Sequence, residues 1–206
     1  RVFCASMADI FEDRADLIDV RNLLWDLIRQ TGHLRWLLLT KRPQNILRML
    51  APFQFGGDFG SWAILPTSVY PNMYSHVWFG STTENQARAQ ERIPHLCAVP
   101  ARVRFLSCEP MLGPIDLAGF DEFREGKIGW VIVGGESGPK SRECHLDWVE
   151  EIVNDCRTYK VPCFVKQLGA RPVAEGLHSL GLIDRRKGGD FENFPEWLQV
   201  REVPDV

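Results

Sequence analysis

Short apolar runs recur along this chain, and each ends in a cluster of polar residues before a helix-like or irregular stretch. The runs are Val2–Ala5, Trp36–Leu39, Val77–Phe79, Val103–Leu106, Trp130–Val133 and Cys163–Val165. Their starts lie 26 to 41 residues apart, the spacing of β/α units joined by right-handed crossovers. The runs lack period-2 alternation, as strands buried on both faces of a parallel sheet do. Between them, apolar residues at Leu17, Ile18, Val20, Leu23, Leu24, Leu27 and Ile28 predict a helix over Ala15–Thr31, stopped by Gly32. Further helices are predicted over Gln44–Leu50, Gln86–Leu96 and Leu146–Tyr159. The last places Trp148, Val149, Ile152, Val153 and Cys156 on its inner face, with Ser141 or His145 as its cap. Ala51–Ser75 and Met111–Gly126 carry no clear period and read as irregular connections.

This pattern predicts the α/β class, as a partial parallel β/α barrel, TIM-barrel-like; a flat doubly wound sheet is the alternative. A complete eightfold barrel takes about 250 residues, whereas this chain has 206 and opens at Arg1 on a strand-like run. A fragment lacking one or two N-terminal β/α units is therefore expected. Residues 1–170 are assigned to the barrel, and residues 171–206 to a polar C-terminal tail packing on it.

Composition changes this picture little. Hydrophobic residues make up 45% and charged residues 25%, as in globular domains. A net charge of -3 gives no electrostatic argument for nucleic acid as the main partner, although a local basic patch stays open. No apolar run approaches the roughly 18 residues that span a bilayer, and no signal-peptide pattern opens the chain. A cytoplasmic protein without membrane partners is expected. The cysteines, six in number, form no C-x-x-C pair, which argues against a zinc ribbon. They read as reduced, buried thiols, with Cys108 and Cys144 the ones to test for reactivity. Trp25, Trp36, Trp78, Trp130 and Trp148 read as core packing before base stacking.

The candidate chemistry lies at the polar ends of the runs, because side chains at the C-terminal strand ends of a β/α barrel converge on one mouth. Glu109 is followed by Pro110, which restricts its backbone and so fixes the direction of its carboxylate. Glu109 and Glu136 could lie near one another and share a proton, grip a cation or hold a substrate amine; pairing with Lys41, Arg42 or Lys166 is the structural alternative. Lys166 is an acid–base candidate if burial depresses its pKa, and a simple counter-ion otherwise. The glycines of Gly134-Gly135-Glu136-Ser137 could form a concave anion site or a tight turn. Lys41 and Arg42 offer two cations for a carboxylate or phosphate. Asp9 either caps the following segment or enters the pocket.

The strings "VFCASMADIFED", "LLLTKRPQNI", "VWFGSTTENQ", "RFLSCEPMLGPIDL", "WVIVGGESGP", "DWVEEI" and "FVKQLG" occur in order. On these the chain resembles a phage-associated, radical-SAM-like family of unknown function with an unusual three-cysteine motif. The resemblance runs to the "KGGD" near Gly189. It implies a [4Fe-4S] cluster held by a C-x6-C-x2-C loop, together with S-adenosylmethionine, in the full-length protein. This chain contains no such loop and is expected to bind no cluster and to be inactive as a radical enzyme. The resemblance further implies a barrel mouth built from Ser6, Asp9, Thr40, Lys41, Arg42, Ser81, Glu84, Glu109, Glu136, Ser137 and Lys166. Of these, Glu109, Glu136 and Lys166 are the catalytic candidates. Ser6, Asp9, Gly134, Gly135 and Ser137 are candidates for the cofactor, and Lys41, Arg42, Ser81 and Glu84 for the substrate. The alternatives are a cluster-independent binding protein for a nucleotide or phosphorylated ligand, and a magnesium-dependent hydrolase using Glu109, Glu136 and Asp9. The substrate is unread, with nucleic acid possible.

Overall fold

The computed structural model describes residues 1–4, 8–55, 75–174 and 188–205, with residues 51–55 described by their backbone. Ala5, Ser6 and most of the 51–75 connection fall outside the described residues, as does the Arg185-Arg186-Lys187 run. The chain divides into two compact units, Arg1–Ser81 with Arg92–Arg104, and Thr82–Glu91 with Phe105–Val206.

The first unit is built on β1 (Val2–Cys4), β2 (Trp36–Thr40) and β3 (Val77–Thr82, to Ser81). These pair in parallel, Val2 opposite Trp36 and Leu37 opposite Trp78. Helix α1 (Ile18–Gln30), entered through a 3-10 turn at Ala15–Leu17, buries Trp25 and Ile28. The apolar stripe read from the sequence is wider than the face that packs: Ile18, Val20, Leu23 and Leu27 are exposed. Seven apolar positions in three turns spread round too much of the helix for one side to bury them all. Helix α2 (Ile46–Phe55) runs past Leu50 into the stretch read as a loop, even though Pro52 removes a backbone donor there.

The second unit carries β4 (Arg104–Cys108, from Phe105), β5 (Trp130–Gly134) and β7 (Cys163–Gln167), again parallel. Helix α3 (Gln86–Cys97) begins in this unit and ends in the first. The connection after β4 contains a short helix, α4 (Asp121–Arg124), where an irregular segment was expected. Helix α5 (Leu146–Tyr159) has the expected bounds and packs on β5 and β7. It buries Leu146, Val149, Ile152, Val153 and Cys156, each apolar side chain worth about 1.5–3 kcal/mol of burial. His145, not Ser141, occupies its N-cap, without a side-chain cap bond, and stacks on Trp148 at 4.4 Å between ring centres. Cys144–His145 forms a two-residue strand, β6, parallel to β8 (Pro172–Val173), two segments for which the sequence predicted no strand.

Residues of the tail run back along β7. Val165 N–H donates to Val200 O at 2.8 Å, Glu202 N–H to Cys163 O at 2.8 Å, and Phe164 bridges Arg201 antiparallel. Arg201 lies over the rings of Phe164, Phe191 and Phe194 at 4.5–5.9 Å. The strand that carries Lys166 is thereby held at its edge.

β2, β3, β4, β5 and β7 extend beyond the apolar runs at their C-terminal ends. Thr40, Ser81, Ser107, Cys108 and Gln167 belong to strands, so the polar clusters begin on the sheet itself. The observed class is mixed α/β with parallel strands.

Candidate functional site

In the first unit the polar groups close into a knot around Asp9. Its Oδ1 accepts hydrogen bonds from Thr40 Oγ1 at 2.7 Å and Phe11 N–H at 3.0 Å, and its Oδ2 from Lys41 N–H at 3.0 Å and Arg42 Nη1 at 2.9 Å. Arg42 also donates through Nη2 to Glu12 Oε1 at 3.0 Å, and its backbone N–H to Thr40 Oγ1 at 2.9 Å. The buried Arg21 holds the loop from beneath, donating to Ile10 O at 2.7 Å and Glu12 O at 3.0 Å. Asp9 does bond a nearby backbone N–H, that of Phe11, and it also ties its loop to the end of β2. A carboxylate with four donors has little acceptor capacity left. The guanidinium fork of Arg42 is shared between two carboxylates, Asp9 and Glu12, at 2.9 and 3.0 Å. Ser81 is buried within β3. Ser6 lies outside the described residues.

The second unit arranges its strand ends differently. Glu109 directly follows β4 and forms a cis peptide with Pro110. Lys166 Nζ donates to Glu109 Oε2 at 3.1 Å. The carboxylate is sunk, with 14% of its side chain exposed, while 55% of the Lys166 side chain is exposed. Burial raises the pKa of Glu109 above the ordinary carboxylate value, and Lys166 offsets part of that rise. The burial on which an acid–base role for Lys166 depended is absent, and its counter-ion is Glu109. The ladder between β5 and β7 slips here: Val133 faces Val165, but Gly134 faces Gln167. Lys166 is therefore left without a partner residue on β5, a bulge of the kind that re-aims a side chain beside a site.

Gly134 gives Glu109 its room. A Cβ at position 134 would stand 3.1 Å from Glu109 Oε1 and 2.8 Å from Gln167 O. Gly135 is equally enclosed, since a Cβ there would come within 2.5 Å of Leu168 O. Its N–H donates to Gln167 O at 2.9 Å, and its carbonyl accepts from Gln167 Nε2 at 2.9 Å. Gly134 O accepts from Met111 N–H and Glu136 O from Ala170 N–H, both at 2.9 Å. The glycines thus let strands and loop approach closely, and the Gly135 N–H is already used within the protein.

Glu136 turns to Arg142. Arg142 Nε and its backbone N–H both donate to Oε2 at 2.9 Å, and Nη2 donates to Oε1 at 3.0 Å. The fork, followed by the backbone N–H, lowers the Glu136 pKa to about 2. Glu109 and Glu136 therefore take different cations, and neither is seen to share a proton with the other. Ser137 is exposed beyond the turn, whereas Glu84 is buried and its carbonyl accepts from Leu112 N–H at 2.8 Å. Cys108 and Cys144, marked for reactivity, are buried, and burial pushes both thiols up to about 12. Such thiols carry almost no thiolate near neutrality. Among the described residues no group of three His, Cys, Asp or Glu side chains is placed to hold a metal ion.

Sequence reasoning missed Glu12 as the second partner of Arg42, Arg142 as the partner of Glu136, the bulge at Lys166 and the ring cage of Arg201. Each joins residues by a loop or tail path that periodicity does not report. The spacing of Glu136 and Arg142 within one loop was the one local signal available.

The fold and these strand ends define a mixed α/β protein with parallel strands and an ionic pair at the C-terminal ends of β4 and β7. The chain belongs to the DUF5131 family, described as a protein of unknown function, whose profile matches residues 1–192. No curated protein and no solved structure matches it. Among the described residues no helix is long and apolar enough to cross a membrane.

Proposed function

We propose that the chain is the ligand-binding part of a radical-SAM-like β/α enzyme. In this reading the parallel strands belong to a partial barrel of residues 1–170, the tail from 171 packs on it, and S-adenosylmethionine is held at the ends of β4, β5 and β7. The observation that carries the proposal is the Glu109–Lys166 pair, in which a sunken carboxylate meets a lysine displaced from the ladder by the bulge. Polar groups at the C-terminal ends of parallel strands are where β/α proteins bind ligands. The string resemblance to the radical-SAM-like family supports the choice of cofactor. Six free cysteines suit a reducing cytoplasm.

The residues present fit S-adenosylmethionine better than they fit an iron–sulfur cluster. Cluster ligation needs clustered thiolates. Cys156 and Cys163 have the first spacing of the C-x6-C-x2-C motif, but Lys166 stands where the third cysteine would fall. Both cysteines are buried, and Cys156 is held as a thiol by its hydrogen bond with Cys163 and by burial. Bound S-adenosylmethionine would supply an activated sulfonium; the protein groups at hand would bind and orient it.

The test is equilibrium dialysis of the purified chain with radiolabelled S-adenosylmethionine. Saturable binding, weakened at least about tenfold (about 1.4 kcal/mol) by Lys166→Ala, is expected. The absence of saturable binding at millimolar ligand would overturn the proposal.

A further inference from the structure

We infer that Glu109 and Lys166 together form a receptor for an α-amino-acid headgroup, Glu109 taking the ammonium and Lys166 the carboxylate. The inference rests on reading these strand ends as a ligand site, and it assigns the ligand class.

Three features point to a zwitterion. The first is charge. A carboxylate and an ammonium 3.1 Å apart make a pair with no net charge. A phosphate or a dicarboxylate would gain Lys166 and be repelled by Glu109, while a simple amine would gain Glu109 and be repelled by Lys166. A ligand carrying both signs on neighbouring atoms exchanges one ion pair for two.

The second is the difference in mobility between the two partners. Glu109 is sunk beside Gly134, and a Cβ at 134 would already crowd its Oε1 at 3.1 Å. Among the described residues, Glu109 Oε1 receives no hydrogen bond. Lys166 is exposed on a flexible four-carbon stem and can swing away to admit an ammonium. With the ammonium at the surface and only the carboxylate sunk, opening the pair costs less than opening a fully buried one, and an incoming ammonium restores the charge that Glu109 loses.

The third is the contrast with the other strand-end carboxylates. Both oxygens of Asp9 and both oxygens of Glu136 already accept hydrogen bonds from arginine or backbone donors. Glu109 has one donor, a lysine, on one oxygen. Of these three carboxylates it is the one with acceptor capacity for an ammonium.

The inference separates from the choice of cofactor by comparing S-adenosylhomocysteine with 5′-methylthioadenosine, which keeps the thionucleoside and lacks the headgroup. Calorimetric titration of the wild-type chain should show the first bound at least about tenfold more tightly. That preference should vanish in Glu109→Gln and in Lys166→Met, both checked for unchanged far-UV circular dichroism. Equal affinity for the two compounds, or a preference that survives Glu109→Gln, would overturn the headgroup assignment while leaving a nucleoside site standing. If neither compound binds, the free α-amino acids decide. Saturable binding of one of them, lost in Glu109→Gln, would uphold the receptor and reject S-adenosylmethionine. Failure of all of them at millimolar concentration would overturn the receptor as well.

Discussion

Asp9 and Glu109 both follow a parallel strand and both meet a cation, yet the two regions around them are built to opposite ends. Asp9 collects four donors, among them one arm of a planar guanidinium whose other arm is fixed by Glu12. Glu109 has a single ammonium on a flexible stem. The exposure of the two carboxylates is the same, 14% for each side chain. Burial therefore does not distinguish them; the supply and rigidity of donors does. A saturated carboxylate stitches a loop to a strand, whereas one left with acceptor capacity can receive something else. Glu136 belongs with Asp9 in this respect, despite lying at a neighbouring strand end to Glu109.

The comparison breaks most readily at Asp9. Asp9→Ala should destabilise the protein by about 2–4 kcal/mol in urea unfolding, because Arg42 and three further donors lose their acceptor. A loss below about 1 kcal/mol would mean that the knot is not structural. Gly135→Ala comes next, at about 1–3 kcal/mol, since its Cβ would meet Leu168 O at 2.5 Å and Cys144 Cβ at 2.9 Å. A neutral result by thermal melting would show a turn loose enough to serve as a cradle, against the enclosed geometry.

Lys166→Ala sharpens the contrast through its pH dependence. Burial raises the folded-state pKa of Glu109 above its unfolded value. Its contribution to stability is thus fullest in acid, where the carboxyl is protonated, and is lost as pH rises through the folded pKa. Removing Lys166 raises that pKa further. The variant should be less stable by about 1 kcal/mol near pH 8, and the two unfolding curves should converge as pH falls towards about 4. A difference that persists unchanged in acid would assign Lys166 a packing role.

Arg142→Ala should have the smallest effect on the urea-unfolding midpoint near neutrality, because its ion pair is at the surface. The sign is the reverse of Glu109. With its pKa lowered to about 2, Glu136 contributes stability that is present above its ordinary value and lost as pH falls towards 2. Wild type and variant should converge in acid here too, and a larger loss in acid than at neutrality would contradict the ion pair.

Much of the fold was legible in the periodicities. Near-continuous apolar runs marked parallel strands because such strands are buried on both faces, and α5 was found within its observed bounds because its inner face repeats at helical spacing. α1 was found as a helix but its buried side was overdrawn, since pattern alone does not say which apolar residues meet a neighbour. Cys144–His145 and Pro172–Val173 escaped notice as strands: two residues carry no period, and their pairing is distant in sequence.

The candidate site was legible as a set of residue types and not as a set of partnerships. The amino-acid order alone determined that Glu109 follows β4, that Gly134 and Gly135 stand at the end of β5 and that Lys166 lies near the end of β7, because local apolar runs mark where the strands lie. Tertiary structure decided which carboxylate kept capacity. The register slip that sets Lys166 aside and the donors that Thr40, Lys41 and Arg42 bring to Asp9 depend on segments brought together by packing, and the fold of one loop turns Arg142 onto Glu136. Charges acquire their roles from the donors that surround them in space, and those neighbours are not written in the local sequence.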